Sequence, residues 1–96
     1  MKRIVINDVE YDLIKDYKNV FNQEELLEKI TDYFDNFDYI LGDYSYDRLR
    51  LKGFCNKDNK GLKEINDFDY IEQYINDYCS YNCGYYILEK VAKKRN

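Results

Sequence analysis

Near the N-terminus a short apolar run, 4–6, is followed by strict alternation of hydrophobic and polar residues over 9–13. Alternation is typical of half-buried strands, because successive side chains of a strand point to opposite faces. The dipeptide 7–8, Asn-Asp, separates the runs, and both residue types tolerate the left-handed backbone of a two-residue turn. The pattern therefore predicts an antiparallel hairpin in which Ile4 lies opposite Tyr11.

Residues 22–36 follow the period of an amphipathic helix. Asn22 is a favourable N-cap, and Glu25 three positions later completes a capping box. The apolar positions recur every three or four residues, as expected of a helix with one buried side. They are Leu26, Leu27, Ile30, Tyr33 and Phe34. We expect this helix to end at Asn36 and to pack on a sheet.

The stretch 37–55 contains the most regular pattern of the chain. Its first half is rich in strand-forming residues, and positions 48–52 alternate basic and apolar side chains. In a strand, Leu49 and Leu51 would face a core, and the basic side chains would face the other way. Those basic residues are Arg48, Arg50 and Lys52. We predict a second hairpin with one apolar face and one basic outer face.

The leucines of this hairpin suggest its register. A three-residue loop, 44–46, sets Leu41 against Leu49 and Asp38 against Lys52. Shifting one strand by a single residue would place Asp38 among the leucines, so we prefer the first arrangement.

The C-terminal half predicts a second helix and an internal strand. Apolar residues recur at helical spacing after Asn66 and Asp67, and the stripe ends near Cys79. The run 85–88 is apolar on both faces, which favours a strand inside the sheet over one at its edge.

Together these elements give the order β-β-α-β-β-α-β. This order indicates an α+β fold with a mainly antiparallel sheet and two amphipathic helices. The 96 residues are expected to form a single domain, 1–96, packed from about 3 to 91 and followed by a basic tail, 92–96. The 12 tyrosines are expected to fill the core and its edges, because a Tyr ring can be buried while its hydroxyl stays in water.

Charge and apolar runs limit the setting in which the chain works. The net charge of −4 argues against a general binder of phosphate backbones, which is usually basic. The N-terminal Met-Lys-Arg is followed by only three apolar residues, too few for a secretion signal, and no apolar run reaches membrane-spanning length. We expect a cytoplasmic protein that does not bind membranes.

The composition also narrows the chemistry that the chain can perform. It contains no His, which removes His-based nucleophile pairs, zinc sites and general bases. The four Gly are isolated, so no phosphate-binding loop is present. We therefore expect no enzyme, no cofactor and no metal. The cysteines Cys55, Cys79 and Cys83 are interpreted as free thiols, with a metal or redox role as the alternative.

The hairpin 37–55 is the candidate binding surface. Its tyrosines can stack or pack against a partner, and its basic residues can contact anions. The candidate residues are Tyr44, Tyr46, Arg48, Arg50 and Lys52. We favour a small, non-catalytic module that contacts a protein partner; a monomer is assumed, since the sequence does not fix the oligomeric state. Two alternatives stay open: a nucleic-acid- or ribosome-associated regulatory factor that uses the basic residues, and a solvated face without a binding role.

Two segments carry distinctive motifs: 42–54, with the core Leu-Arg-Leu-Lys-Gly-Phe, and 78–88, with the pattern Tyr-Cys-x-x-x-Cys. Both resemble segments of the YutD-like family, small uncharacterised proteins of Gram-positive bacteria. With the predicted first helix, the resemblance covers about 4–91, and the family pattern has Gly where this chain has Asp47. The resemblance implies an α+β fold. It implies no activity.

Overall fold

The computed structural model describes residues 2–78 and 83–91, which form a five-stranded antiparallel sheet with a helix on each face. The strands are β1 (Lys2–Ile6), β2 (Val9–Tyr17), β3 (Tyr39–Ser45), β4 (Arg48–Phe54) and β5 (Tyr85–Lys90). The helices are α1 (Gln23–Lys29) and α2 (Ile71–Tyr78), and short 3-10 helices cover Asp32–Asn36, Glu64–Asn66 and Phe68–Tyr70. The strand order is β1-β2-β5-β3-β4. The α+β prediction is confirmed, including the order of its main elements.

The N-terminal hairpin has the predicted register. Asn7 and Asp8 form its turn with φ values of 49° and 67°, the left-handed conformation that a tight two-residue turn requires. Ile4 lies opposite Tyr11, and both side chains are buried. β2 continues to Tyr17 and pairs through its other side with β5.

α1 begins where the sequence predicts. The Asn22 side-chain oxygen accepts a hydrogen bond from the Glu25 N–H at 3.1 Å, which confirms the N-cap. The Glu25 carboxylate was expected to complete a capping box. It instead accepts a hydrogen bond from the Tyr44 hydroxyl on β3, so this end of α1 is joined to the sheet.

α1 ends at Lys29, and the prediction of a helix as far as Asn36 is wrong. Ile30 and Thr31 are extended, with ψ values of 141° and 173°. Both are β-branched, which favours extended backbone over helix. The following residues form the separate 3-10 helix Asp32–Asn36 and lead an aromatic cluster, Tyr33, Phe34 and Phe37, toward the central hairpin.

Each face of the sheet carries a hydrophobic core. The buried residues beneath α1 are Ile4, Ile6, Tyr11, Leu26, Ile40, Leu49, Tyr86 and Leu88. Those beneath α2 are Tyr39, Leu41, Phe54, Ile71 and Ile87. β5 contributes alternate residues to the two cores and lies between β2 and β3, so the prediction of an internal last strand is confirmed.

The turn of the central hairpin is shorter than predicted. It contains two residues, Tyr46 and Asp47, with φ values of 52° and 62°. Ser45 pairs directly with Arg48, so the predicted three-residue loop is wrong. A two-residue turn of this kind follows the natural twist of the strands, and Asp is among the residues that accept its left-handed backbone.

The shorter turn shifts the register of the hairpin. Lys52 lies opposite Leu41, so the predicted pairs Leu41–Leu49 and Asp38–Lys52 are wrong. Asp38 precedes β3, and its carboxylate accepts a hydrogen bond from the Asn56 N–H at 2.8 Å. Burying a carboxylate without hydrogen bonds is unfavourable, but residues of the loop after β4 donate hydrogen bonds to Asp38, so this cost is avoided.

α2 begins later than the predicted position near Asn66 and Asp67. The Asp67 carboxylate accepts a hydrogen bond from the Asp69 N–H at 3.0 Å and caps the 3-10 helix Phe68–Tyr70. α2 follows from Ile71. The predicted end of this helix, around 80–84, lies mostly outside the described residues.

Candidate binding surface on the central hairpin

The tip of the central hairpin projects Tyr46 into solvent. Tyr46 is 97% exposed. Its positive φ is unfavourable for a residue with a Cβ, by roughly 1–2 kcal/mol. Arg48 at the start of β4 is also exposed. Tyr46 and Arg48 are therefore the predicted site residues that the fold holds most open to a partner.

Tyr44 points inward, toward α1. Its ring packs against the core beneath α1, and its hydroxyl donates to the Glu25 carboxylate. Burial, together with this hydrogen bond, raises the pKa of Tyr44 above its ordinary value. Tyr44 thus joins β3 to α1, and its predicted contact with a partner stays a prediction.

Arg50 is held by the carboxylate of Asp43 across the hairpin. The Arg50 Nε and Nη2 atoms donate to the two Asp43 oxygens at 3.2 and 2.7 Å. Nη2 also donates to the carbonyl oxygen of Tyr78 at the end of α2, at 3.1 Å. The Asp43 side chain is only 4% exposed and that of Arg50 is 43% exposed. The two-point contact with Asp43 joins β4 to β3, and the bond to the Tyr78 carbonyl joins β4 to α2.

Lys52 lies against aromatic rings. Its Nζ is 5.3 Å from the ring centroid of Phe54 and 5.2 Å from that of Tyr74. Both distances suit cation–π attraction. Burial lowers the pKa of Lys52 below its ordinary value. The predicted basic row is therefore not uniform, because Arg50 and Lys52 contact their own protein while Arg48 faces solvent.

The outer edge of β4 forms a groove that the sequence pattern did not indicate. The groove has a volume of about 510 Å³ and touches β4 from Arg50 to Gly53. Its remaining lining residues are Tyr33, Phe34, Phe37, Lys63, Ile65, Asn66 and Tyr74. A Cβ on Gly53 would lie 2.2 Å from the Phe37 ring, so this glycine allows the ring to cover the strand. These residues come from β4, α2, two 3-10 helices and residues that flank them, and no short motif could have revealed them.

The thiol groups give no sign of a metal centre in the described residues. Cys55 is 1% exposed, and burial raises the pKa of its thiol, to which the nearby Asp38 and Asp67 carboxylates contribute. Cys83 is partly exposed, whereas Cys79 lies outside residues 2–78 and 83–91. Within these ranges no three His, Cys, Asp or Glu residues come together as metal ligands. None of the described helices is long and apolar enough to span a membrane.

Comparisons with known proteins agree with this fold. The model of the YutD-like family, described as "Putative antitoxin YutD-like", matches residues 5–89. "Putative antitoxin YutD" of Bacillus subtilis (strain 168) is 33% identical over 90 residues, which cover 94% of this chain and 99% of the relative. The solution NMR structure of protein yutD from B. subtilis has a TM-score of 0.81 and 31% identity, covering 100% of this chain and 87% of that one. As the resemblance of its central hairpin implies, this chain belongs to the YutD-like family.

Proposed function

We propose that the protein is a non-catalytic binding module that contacts a protein partner through the hairpin 37–55. The observation that carries this proposal is Tyr46, a large ring that is 97% exposed in a left-handed turn position. Gly or Asn would form that turn at lower cost. Unfavourable backbone geometry at an exposed residue is a reason to suspect function.

The chemistry of the tip suits contact with a protein. Tyr and Arg are enriched at the centres of protein interfaces, because each combines a large contact area with hydrogen bonding. Tyr46 and Arg48 provide this pair within three residues of one another. Tyr78 and Ile65 add further exposed apolar area on the α2 side of the sheet.

The description of the family supports a partner of this kind. A protein named as an antitoxin is expected to act on another cellular component and not on a small-molecule substrate. We propose that this chain acts in that way, by covering a protein that it neutralises. The absence of His from the sequence fits a role that depends on binding and not on catalysis.

A variant pair at position 46 tests the proposal. Proteins captured from lysate by the immobilised chain would be identified, purified and titrated against the wild type, Tyr46→Phe and Tyr46→Asn. Tyr46→Asn removes the ring and suits the turn, so the fold is kept. We expect it to weaken binding at least tenfold, as for the loss of an interface anchor, and Tyr46→Phe to change binding less. Equal affinity of all three chains would refute a role for the tip.

The basic residues also support a second candidate, a nucleic-acid-associated regulatory factor. Exposed Arg48 is the observation that favours it. Arg50 and Lys52 would have to leave Asp43 and the aromatic rings, at least in part, to contact phosphates. Capture repeated after nuclease treatment separates the candidates. Partners lost with nuclease, and binding that weakens steeply as salt rises, would favour nucleic acid over protein.

A further inference from the structure

The groove on β4 follows the strand's edge and does not lie above one face of the sheet. It touches four consecutive residues, from Arg50 to Gly53. Consecutive side chains of a strand point to opposite faces, so a cavity that reaches all four must run along the open edge. β4 is an edge strand of the sheet, and no strand in residues 2–78 or 83–91 pairs with its outer side.

The turn determines which main-chain groups face this groove. In a two-residue hairpin turn, the flanking residues, here Ser45 and Arg48, form a hydrogen-bonded pair. The bonded pairs then alternate along β4, so Leu49, Leu51 and Gly53 direct their N–H and C=O groups away from β3. Leu51 is partly exposed, so its groups can pair with an added strand. Leu49 is only 4% exposed and Gly53 is buried beneath the Phe37 ring, so pairing along the whole edge requires that ring to move aside.

The chain itself already uses the far end of this edge. Beyond Phe54, the Cys55 N–H donates to the Asn66 carbonyl at 2.7 Å, and the Phe68 N–H donates to the Cys55 carbonyl at 3.0 Å. This is a short parallel bridge between Cys55 and Asp67. The groove lies along the preceding part of the same edge, where no such bridge is present among the described residues.

The groove walls carry positive charge and apolar surface. Among the described residues its lining contains three cations and no carboxylate, although the chain as a whole has a net charge of −4. Lys63 is exposed, Lys52 lies over aromatic rings, and Arg50 is already paired with Asp43, so Lys63 is the cation most open to an added segment. Aromatic rings and Ile65 supply the rest of the walls, and Ile65 is 72% exposed. The groove therefore matches a segment that is both acidic and partly apolar.

Resting on the function proposed above, we propose that this edge receives an extended acidic segment of the partner protein, which adds to β4 as a sixth strand. Strand addition of this kind uses main-chain hydrogen bonds for affinity and alternate side chains for specificity. A second copy of the chain suits the edge less well, because two β4 strands would bring like charges together. A nucleic acid cannot reproduce the regular pattern of backbone donors and acceptors.

An eight-residue peptide that alternates Val and Glu, with blocked ends, is the probe. Its binding would be followed through the amide resonances of the isotope-labelled protein. We expect saturable shifts centred on Leu49, Leu51 and Gly53. Only every second peptide N–H faces β4, so N-methylation of one alternate set should abolish binding while methylation of the other set preserves it. A Val-Lys peptide should not bind.

Charge reversal at the groove wall provides the matched variants. Lys63→Glu should weaken binding of the Val-Glu peptide roughly five- to tenfold, as expected for a rim charge beside an acidic strand. Lys29→Glu changes the net charge equally at the exposed end of α1 and should change the affinity less than twofold. Any of four results would overturn the proposal: no binding, shifts centred elsewhere, equal loss in both variants, or equal binding of both N-methylated peptides. An octanucleotide of uridine that displaces the Val-Glu peptide would also overturn it, in favour of nucleic acid.

The tip variants separate this proposal from the broader one. Tyr46 does not line the groove, so Tyr46→Asn should leave peptide binding unchanged. If the peptide binds at the edge while partner capture ignores position 46, the tip fails and strand addition stands. If capture depends on Tyr46 while the peptide never binds, strand addition fails and the proposed function stands.

Discussion

Replacing Arg50 with Met tests how much the ion pair between Arg50 and Asp43 stabilises the fold. The substitution keeps an unbranched apolar stem and removes the guanidinium. The Asp43 carboxylate, 4% exposed, then loses the two hydrogen bonds at 3.2 and 2.7 Å that Arg50 donates to it. The substitution also removes the hydrogen bond from Arg50 to the Tyr78 carbonyl, which joins β4 to α2.

The size of the effect follows from the burial of the two partners. Breaking a fully buried ion pair by removing one partner costs about 3–5 kcal/mol, because a charge is left without compensation. Arg50 itself is 43% exposed, so water can reach the site from its side. We therefore expect a loss of about 2–3 kcal/mol in the free energy of unfolding. In a domain of this length, that corresponds to a fall in Tm of about 10–20 °C.

Urea denaturation followed by circular dichroism measures this loss. Arg48→Met is the matched control, because it removes the exposed arginine two residues earlier and should cost less than about 0.5 kcal/mol. The double variant Asp43→Val/Arg50→Met replaces the pair with apolar residues and should recover most of the stability. If Arg50→Met is as stable as Arg48→Met, or the double variant is no better than Arg50→Met alone, the ion pair does not stabilise the fold as described.

Three smaller predictions follow from single contacts. Tyr86 is fully buried, and its hydroxyl has no hydrogen-bond partner among the described residues. The free energy of unfolding of Tyr86→Phe, measured by urea denaturation, should therefore equal that of the wild type or exceed it by up to about 1 kcal/mol. A loss above about 1 kcal/mol would reveal a missing partner. The thiol of Cys55 is buried, and its pKa is raised. Iodoacetamide at pH 8 should therefore modify the partly exposed Cys83 first and Cys55 only in denaturant, as measured by peptide mass spectrometry. Equal labelling of the two cysteines in the native protein would contradict the burial of Cys55. The hydrogen bond from Lys57 holds the pKa of Asp67 below its ordinary 3.8, so this contribution to stability is complete above about pH 4 and is lost as the pH falls through the lowered value. Lys57→Met should therefore lower the urea midpoint at pH 6 and match the wild type near pH 2, and a difference that does not change with pH would refute the linkage.

The parts of the fold that the sequence predicted are those fixed by local patterns. The turn at Asn7 and Asp8, the N-cap at Asn22 and the two-sided apolar run of β5 each depend on neighbouring residues alone. Such signals do not depend on contacts distant in sequence, so they are visible in a single sequence. The prediction of a helix beyond Lys29 was wrong although the relevant signal is also local. The apolar periodicity is present, but the β-branched residues Ile30 and Thr31 are extended, and Ile30 and Phe34 still pack against the core.

The binding surface was harder to predict, because its features depend on contacts distant in sequence. Alternation correctly separated the leucines from the basic residues of β4. The alternation could not show that α2 covers the basic face of β4, that Asp43 lies opposite Arg50, or that Tyr74 lies against Lys52. The register itself had one local signal. Asp47 is one of the residue types that accept the left-handed backbone of a two-residue turn, and its φ is 62°.

The internal contacts of the basic residues decide which substitutions can test function at all. Reversing Arg50 to Glu would place two carboxylates together at a buried position, and the unfolding that follows would resemble a loss of binding. The same substitution at Arg48 or Lys63 changes charge on exposed surface and leaves the cores intact. A loss of partner binding in those variants, with an unchanged urea midpoint, can therefore be assigned to the surface. Arg48 at the tip and Lys63 on the groove wall offer that separation, and they are the two places where the proposals predict different outcomes.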